Sequence, residues 1–249
     1  MPKDQTEAIV LRTFNVGDQD KIAVFFSRDR GILKGIAKGA RKFGNRFGSC
    51  LEPSSYINVY FYEKENKELV TVSNCDLLES FFDIQSRLES AFTLCYFSEL
   101  IENSLPSRSE EDTLFRLLLQ ILRALKQEKE LVFLTAYFEL WFLKINGFFP
   151  DMKKCKKCHK NIETTGWLSV KRDGILCSRC SPTDREKISL EEISVYSWIL
   201  KNPPVSEKKY PFSREQIQNA RKVLKNLIVF HMEKRPRFPD DFKKHFNTL

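Results

Sequence analysis

Apolar and polar positions alternate through the first third of the chain. "EAIVLRTF" and "KIAVFFS" are rich in β-branched and aromatic residues, and "RDRG" supplies a hairpin turn into "ILKGIAKG". After a glycine-containing loop "SYINVYFYE" alternates again, "KENK" turns, and "ELVTVSNC" returns. Residues 6–76 thus read as five short strands, too few for a large sandwich. They predict a small closed or partly closed barrel of the OB type, with an SH3-like barrel as the alternative.

From Leu77 the period changes to that of helices. "LESAFTLCYFSELIENSL" places Leu88, Phe92, Cys95, Tyr96 and Leu100 on one face. Pro106 and "SRSEED" close that helix, and Ser109 with Asp112 forms a capping-box pattern for "TLFRLLLQILRALKQ". The segment 131–149 is apolar nearly all round, which marks it as the central helix of a bundle, stopped by Gly147 and Pro150. Ser189 with Glu192 and Ser213 with Gln216 announce helices near 189–201 and 213–234, separated by Pro203 and Pro204. The basic, proline-punctuated end "KRPRFPDDFKKHFNTL" predicts partial disorder. The fold class is α+β: an OB-type barrel domain over 1–80, then an all-α domain over 81–249 with a cysteine-bearing insert at 151–182.

Charge narrows the class of partner. The 249 residues carry a formal +8, which favours a polyanion, either nucleic acid or an anionic membrane surface. The most apolar run, "LVFLTAYFELWFLKINGFF", is interrupted by Glu139 and Lys144 and reads as a buried helix, so no membrane association is expected. The opening "MPKDQTEAIV" has Asp4 and Glu7 where a secretory signal would be apolar. Seven cysteines, an odd number, fit a reducing compartment, so a cytoplasmic, nucleoid-associated location is expected.

Four of those cysteines carry the sharpest chemical signal. Cys155 and Cys158 form one Cys-x-x-Cys pair, and Cys177 and Cys180 form another after an 18-residue spacer. Each pair makes a tight turn that aims both sulfurs at one ion, and two such turns give the tetrahedral thiolate set that zinc prefers. Between them "GWLSVKRDGIL" reads as two short strands with a turn, a ribbon for the ion to staple. Lys153, Lys154, Lys156, Lys157 and Arg179 would offset the charge of the thiolates. Four protein ligands leave no place for a reactive water, so a structural role is expected for the zinc. His159 reads as a surface residue, and Cys50, Cys75 and Cys95 as core residues.

The second signal is "RDRGILKGIAKGARKFGNRFGSCLEP". Between Arg28 and Arg46 it holds Arg28, Arg30, Lys34, Lys38, Arg41, Lys42 and Arg46 against the single acid Asp29. Interleaved glycines would let the backbone approach a phosphate, and Phe43 and Phe47 offer faces for base stacking. These seven cations are the candidate DNA-binding residues.

On "GIAKGARKFGNRFGSCLEP" and the opening "EAIVLRTFNVGDQDKIAVFFSRDRG", the chain resembles the RecO family of bacterial recombination mediators. The order of barrel, helical domain, four-cysteine insert and closing helix is similar throughout. The resemblance implies binding of single- and double-stranded DNA and annealing of complementary strands. It also implies partnership with RecR and the C-terminal tail of SSB to help RecA replace SSB. Carried over by motif, Lys34, Lys38, Arg41, Lys42 and Arg46 would contact phosphates. Asn45 stands where the family often has Ser, and "EKRPRFPDDF" departs from the usual ending. An enzyme is not expected: no H-E-x-x-H element occurs, and Glu110, Glu111 and Asp112 read as a helix start. The alternative is a zinc-ribbon adaptor that binds proteins without touching DNA.

Overall fold

The computed structural model describes residues 3–63, 68–105, 109–181, 186–205, 210–232 and 235–239. The "KENK" turn, Pro106, the last residue of the cysteine insert and positions 240–249 lie outside these. The chain divides into two compact units, 1–126 with 236–249, and 127–235.

In the first unit β1 (Lys3–Val16), β2 (Asp20–Ser27), β3 (Gly31–Ala37), β4 (Tyr56–Tyr62) and β5 (Leu69–Glu79) close into a barrel in the order β1-β2-β3-β5-β4. The pairs are antiparallel except β3 with β5, which run parallel from Lys34↔Leu69 to Ala37↔Val72. This is the OB-type arrangement that the strand pattern predicts. Ring closure depends on β1. Its first half pairs with β4, its second with β2, and a register shift between Val10 and Arg12 bends it from one to the other. Alternate residues such as Val10, Phe25, Leu33, Val59, Phe61 and Val72 fill the interior. Gly35 is required there: a Cβ would come within 2.7 Å of a Val72 methyl.

The second face of β2 is buried too, by a helix. α1 (Phe82–Gln85), α2 (Leu88–Ser104) and α3 (Asp112–Lys126) belong to this same unit. Phe115 of α3 meets the Phe26 ring edge-on at 5.6 Å, which explains the unbroken apolar run in β2. α3 starts at Asp112, two residues after the start that Ser109 as N-cap predicts. Ser109 stays outside the helix, with its backbone against Gly31, where a Cβ would overlap the Ser109 carbonyl oxygen.

α2 buries only part of the expected face: Tyr96 and Leu100 are buried, but Leu88 and Cys95 are exposed, and Ser90, Thr93, Leu94, Phe97 and Ile101 are buried as well. Thr93 can sit inside because its hydroxyl donates to the Glu89 carbonyl at 2.8 Å. Cys50 and Cys75 do line the barrel core; Cys95 does not belong to the interior. Part of the closing segment is ordered: Phe238 is buried against Tyr96, and the Arg237 N–H donates to Glu99 at 3.1 Å.

The second unit is built on α4 (Leu131–Ile145), with α5 (Leu190–Lys201) and α6 (Arg214–His231) packed on it. α4 is buried almost all round, as its sequence predicts. The bundle expected from three consecutive helices is therefore redistributed, α2 and α3 going with the barrel and α4 with α5 and α6. α5 and α6 open with the expected capping boxes, Ser189 with Glu192 and Ser213 with Gln216. Inside, Arg221 of α6 makes two bonds to Glu139 of α4, at 2.9 and 2.8 Å. The ribbon is three-stranded: β6 (Thr165–Leu168) lies between β7 (Ile175–Leu176) and β8 (Lys187–Ser189), the last strand unanticipated.

Candidate nucleic-acid interface and metal centre

The loop after β3 is a succession of turns tied down at several points. The Gly39 N–H donates to the Asp20 carboxylate at 2.8 Å, and the Arg41 N–H to the Gln19 carbonyl at 2.9 Å. Asn45 accepts from the Phe47 N–H and donates to the Lys42 carbonyl, an Asx turn that fits Gly44 at φ 64°. Asn45 therefore closes the loop.

The two candidate stacking residues part company here. Phe47 is only 2% exposed and packs in the barrel core, whereas Phe43 stands fully exposed at the tip. The Arg46 guanidinium lies 4.7 Å from the centre of the Phe47 ring and donates to the Ser73 carbonyl at 2.7 Å. The glycines serve the fold first: Gly31 and Gly35 fit close neighbours, and Gly39, Gly44 and Gly48 take left-handed turn positions.

The seven candidate cations are all exposed, but they do not form one cluster. Arg28 bonds Asp112 at 2.8 Å and Glu7 at 3.0 Å, and Arg30 bonds Asp4 at 2.6 Å. Hydrogen bonds and charge from Asp112 and Glu7 raise the Arg28 pKa. Both arginines sit at the β2–β3 turn, roughly 20 Å along the hairpin from the loop at its other end. Lys34, Lys38, Arg41, Lys42 and Arg46 have no ion pair among the described residues; Arg41 donates only to the Gly17 carbonyl, at 3.2 Å. Asp18 is exposed on that neighbouring β1–β2 turn. Asp20, which anchors Gly39, was not singled out in the sequence, although its position opening β2 after "GDQ" marks a turn-closing acid.

In the other unit the four cysteines converge. The sulfurs of Cys155, Cys158, Cys177 and Cys180 all lie within 4.8 Å of one another, with Cys158 and Cys177 3.7 Å apart. A tetrahedral ion with metal–sulfur bonds of about 2.3 Å requires sulfurs about 3.8 Å apart, so the set fits one metal ion. Each pair is a closed turn: the His159 N–H donates to the Cys155 carbonyl, and the Cys180 N–H to the Cys177 carbonyl. His159 is exposed at φ 58° and is not part of the set.

Burial opposes ionisation of Cys155, but N–H groups of Cys158, Cys177 and Lys157 outweigh it and hold that thiol down at about 6. Burial is likewise outweighed at Cys177, which is lowered by bonds from Cys158 and Cys180 and by nearby amides. Cys180 keeps its proton up to about 12, through its bond to Cys177 and then burial. Four sulfurs this close lose their first protons readily and their last with difficulty, and a divalent cation bound here would take the place of that last proton. The ribbon is braced on the helices: Glu186 accepts from Arg172 at 2.8 Å and from Asn226 of α6 at 2.7 Å.

Two family models match successive parts of the chain, with their boundary just after the barrel. The family described as Recombination protein O N terminal matches residues 1–81, and Recombination protein O C terminal matches residues 85–237. A protein of Koribacter versatilis described as DNA repair protein RecO is 31% identical over 231 residues, covering 93% of this chain and 94% of its own. Proteins of the same description from Dehalococcoides mccartyi and Caldicellulosiruptor saccharolyticus are 29% and 27% identical, covering 94% and 92% of this chain and 92% and 91% of their own. No described helix is long and apolar enough to cross a membrane.

Proposed function

Since this chain belongs to the RecO family of DNA repair proteins, we propose that it is a non-enzymatic mediator that holds DNA strands by their phosphates and anneals them. With RecR it helps load RecA onto single strands coated with SSB, whose acidic tail it engages. The observation that carries the reading is the anchored loop after β3, with Lys38, Arg41, Lys42 and Arg46 exposed and free of carboxylate partners. Lys34 on β3 extends this surface. Arg28 and Arg30 fall outside it, because neighbouring carboxylates already neutralise them.

Annealing needs no reactive side chain. Two strands repel, and a basic surface that neutralises phosphates lowers the repulsion and releases counterions. Contacts to phosphate carry no sequence, so a bound strand can slide until its register matches. Phe43 adds a flat apolar face beside the cations, on which an unpaired base can stack. Zinc in the four-cysteine site holds the ribbon together, and the site offers no open coordination position.

The test is fluorescence annealing of complementary strands pre-coated with SSB, with and without RecR, together with strand binding over a salt series. Wild-type protein accelerates annealing and binds without sequence preference. Each loop cation replaced lowers the slope of log affinity against log salt by about 0.7 on single strands. If Lys38→Glu with Arg41→Glu leaves affinity and slope unchanged, the loop is not the interface.

A further inference from the structure

The lysines around the metal centre have a use beyond balancing the thiolates. Backbone N–H groups of Lys157, Cys158, Cys177 and Arg179 already favour the ionised sulfurs. Among the described residues, no lysine ammonium contacts a cysteine sulfur, and of the lysines here only Lys156 has an acid, Asp173. Lys153, Lys154, Lys157 and Lys160 on the first cysteine turn, and Arg179 on the second, are exposed without an ion pair among the described residues. The convergence of the sulfurs ties these two turns to one point, so the cations crown a single end of the ribbon.

We infer that this end of the ribbon is a second polynucleotide-binding surface, separate in the chain from the barrel loop and suited to gripping another segment of DNA. The neighbouring side chains favour phosphate over other anions. Residues 153–161 and 177–181 expose no apolar side chain, which a membrane surface or an anchored acidic peptide would use; they expose Ser178, His159 and Asn161, which can donate to phosphate oxygens. The ribbon itself is rigid enough to present charge, since Lys156 pairs with Asp173 and its N–H donates to the Ile175 carbonyl. Two surfaces give annealing what one cannot: a protein-held strand brought against a second held strand at raised local concentration. This inference rests on the polynucleotide reading proposed above.

The experiment uses the full chain in its zinc-loaded form. The ribbon variant is Lys154→Gln, Lys157→Gln and Lys160→Gln together; the loop variant is Lys38→Glu with Arg41→Glu. Zinc content and melting temperature establish that each variant keeps its fold. Binding of labelled strands is followed over a salt series, and bridging by energy transfer between two non-complementary strands on one protein. The ribbon variant is expected to keep its zinc, to lose about 2 from the salt slope on single strands, and to lose bridging while still holding one strand. Wild-type slope and bridging in the ribbon variant would overturn the inference even with the loop variant impaired. An unaffected loop variant would instead sink the loop as interface, leaving the ribbon to be judged by its own arm. An unchanged DNA slope with lost binding of fluorescent oligo-glutamate would reassign the surface to an acidic protein.

Discussion

The buried ion pair between α4 and α6 makes a quantitative test of how the second unit is held. Arg221 donates through Nε to one oxygen of Glu139 at 2.9 Å and through Nη2 to the other at 2.8 Å, a bidentate fork. The Glu139 side chain is fully buried and that of Arg221 is 6% exposed. Glu139→Ala leaves the guanidinium in an apolar interior without its counter-charge, which costs about 3–5 kcal/mol. For a unit of this size that corresponds to a fall in Tm of roughly 10–20 °C. Replacing both partners by apolar residues of similar volume, Glu139→Leu with Arg221→Met, removes the orphaned charge and is expected to recover most of the loss. Trp141, Trp167 and Trp198 all lie within residues 127–235, so tryptophan fluorescence in urea reports this unit alone. A loss below about 1 kcal/mol in Glu139→Ala would show that water or a rearranged side chain solvates the arginine, and that the pair is not the tie described here.

Other consequences can be checked separately. Cys177→Ser should reduce bound zinc from one ion per chain to a weakly held fraction, read by colorimetric release, and change Trp167 emission on β6 while the barrel keeps its circular dichroism. Gly31→Ala combines a φ of 61° with overlap at the Ser109 carbonyl, and is expected to lower stability by about 1–3 kcal/mol in denaturant melts. Phe43→Ala should leave stability unchanged but weaken single-strand binding roughly 5- to 150-fold, the range of one stacked base. His231 is lowered in pKa by burial and then by Arg172, and its Nε2 has no described partner. A depressed histidine is neutral in the fold and takes up a proton on unfolding, so stability of the second unit should fall as pH drops through the unfolded value near 6.5. His231→Phe, which preserves the stack on Phe148, should flatten that dependence.

Some of this was legible in the chain because local chemistry fixes it. Alternation in "SYINVYFYE" gives a strand, and the two Cys-x-x-Cys turns give a ligand set whatever surrounds them. The capping boxes at Ser189 and Ser213 formed because every group in them is within four residues. The unread parts depend on contacts far apart in sequence. Arg28 looks as available as Lys38 until Asp112, 84 residues on, reaches it. Phe43 and Phe47 are alike in composition, and only the path of the loop sends one into the core. The face of α2 is legible only in part, at Tyr96 and Leu100, because hydroxyls satisfied within the helix can be buried beside apolar residues, as at Thr93. β8 has only three residues and no pattern of its own; pairing with β6 makes it a strand.

The burial of Phe47 makes the basic loop a poor candidate for transplantation. Nine residues from Lys38, the chain plugs into the same interior that Phe25 and Phe61 fill, so a graft onto another barrel would have to bring a matching hole with it. One inserted residue between Asn45 and Phe47 would break the bond by which the Phe47 N–H holds Asn45, and should loosen the seating of the loop in the barrel.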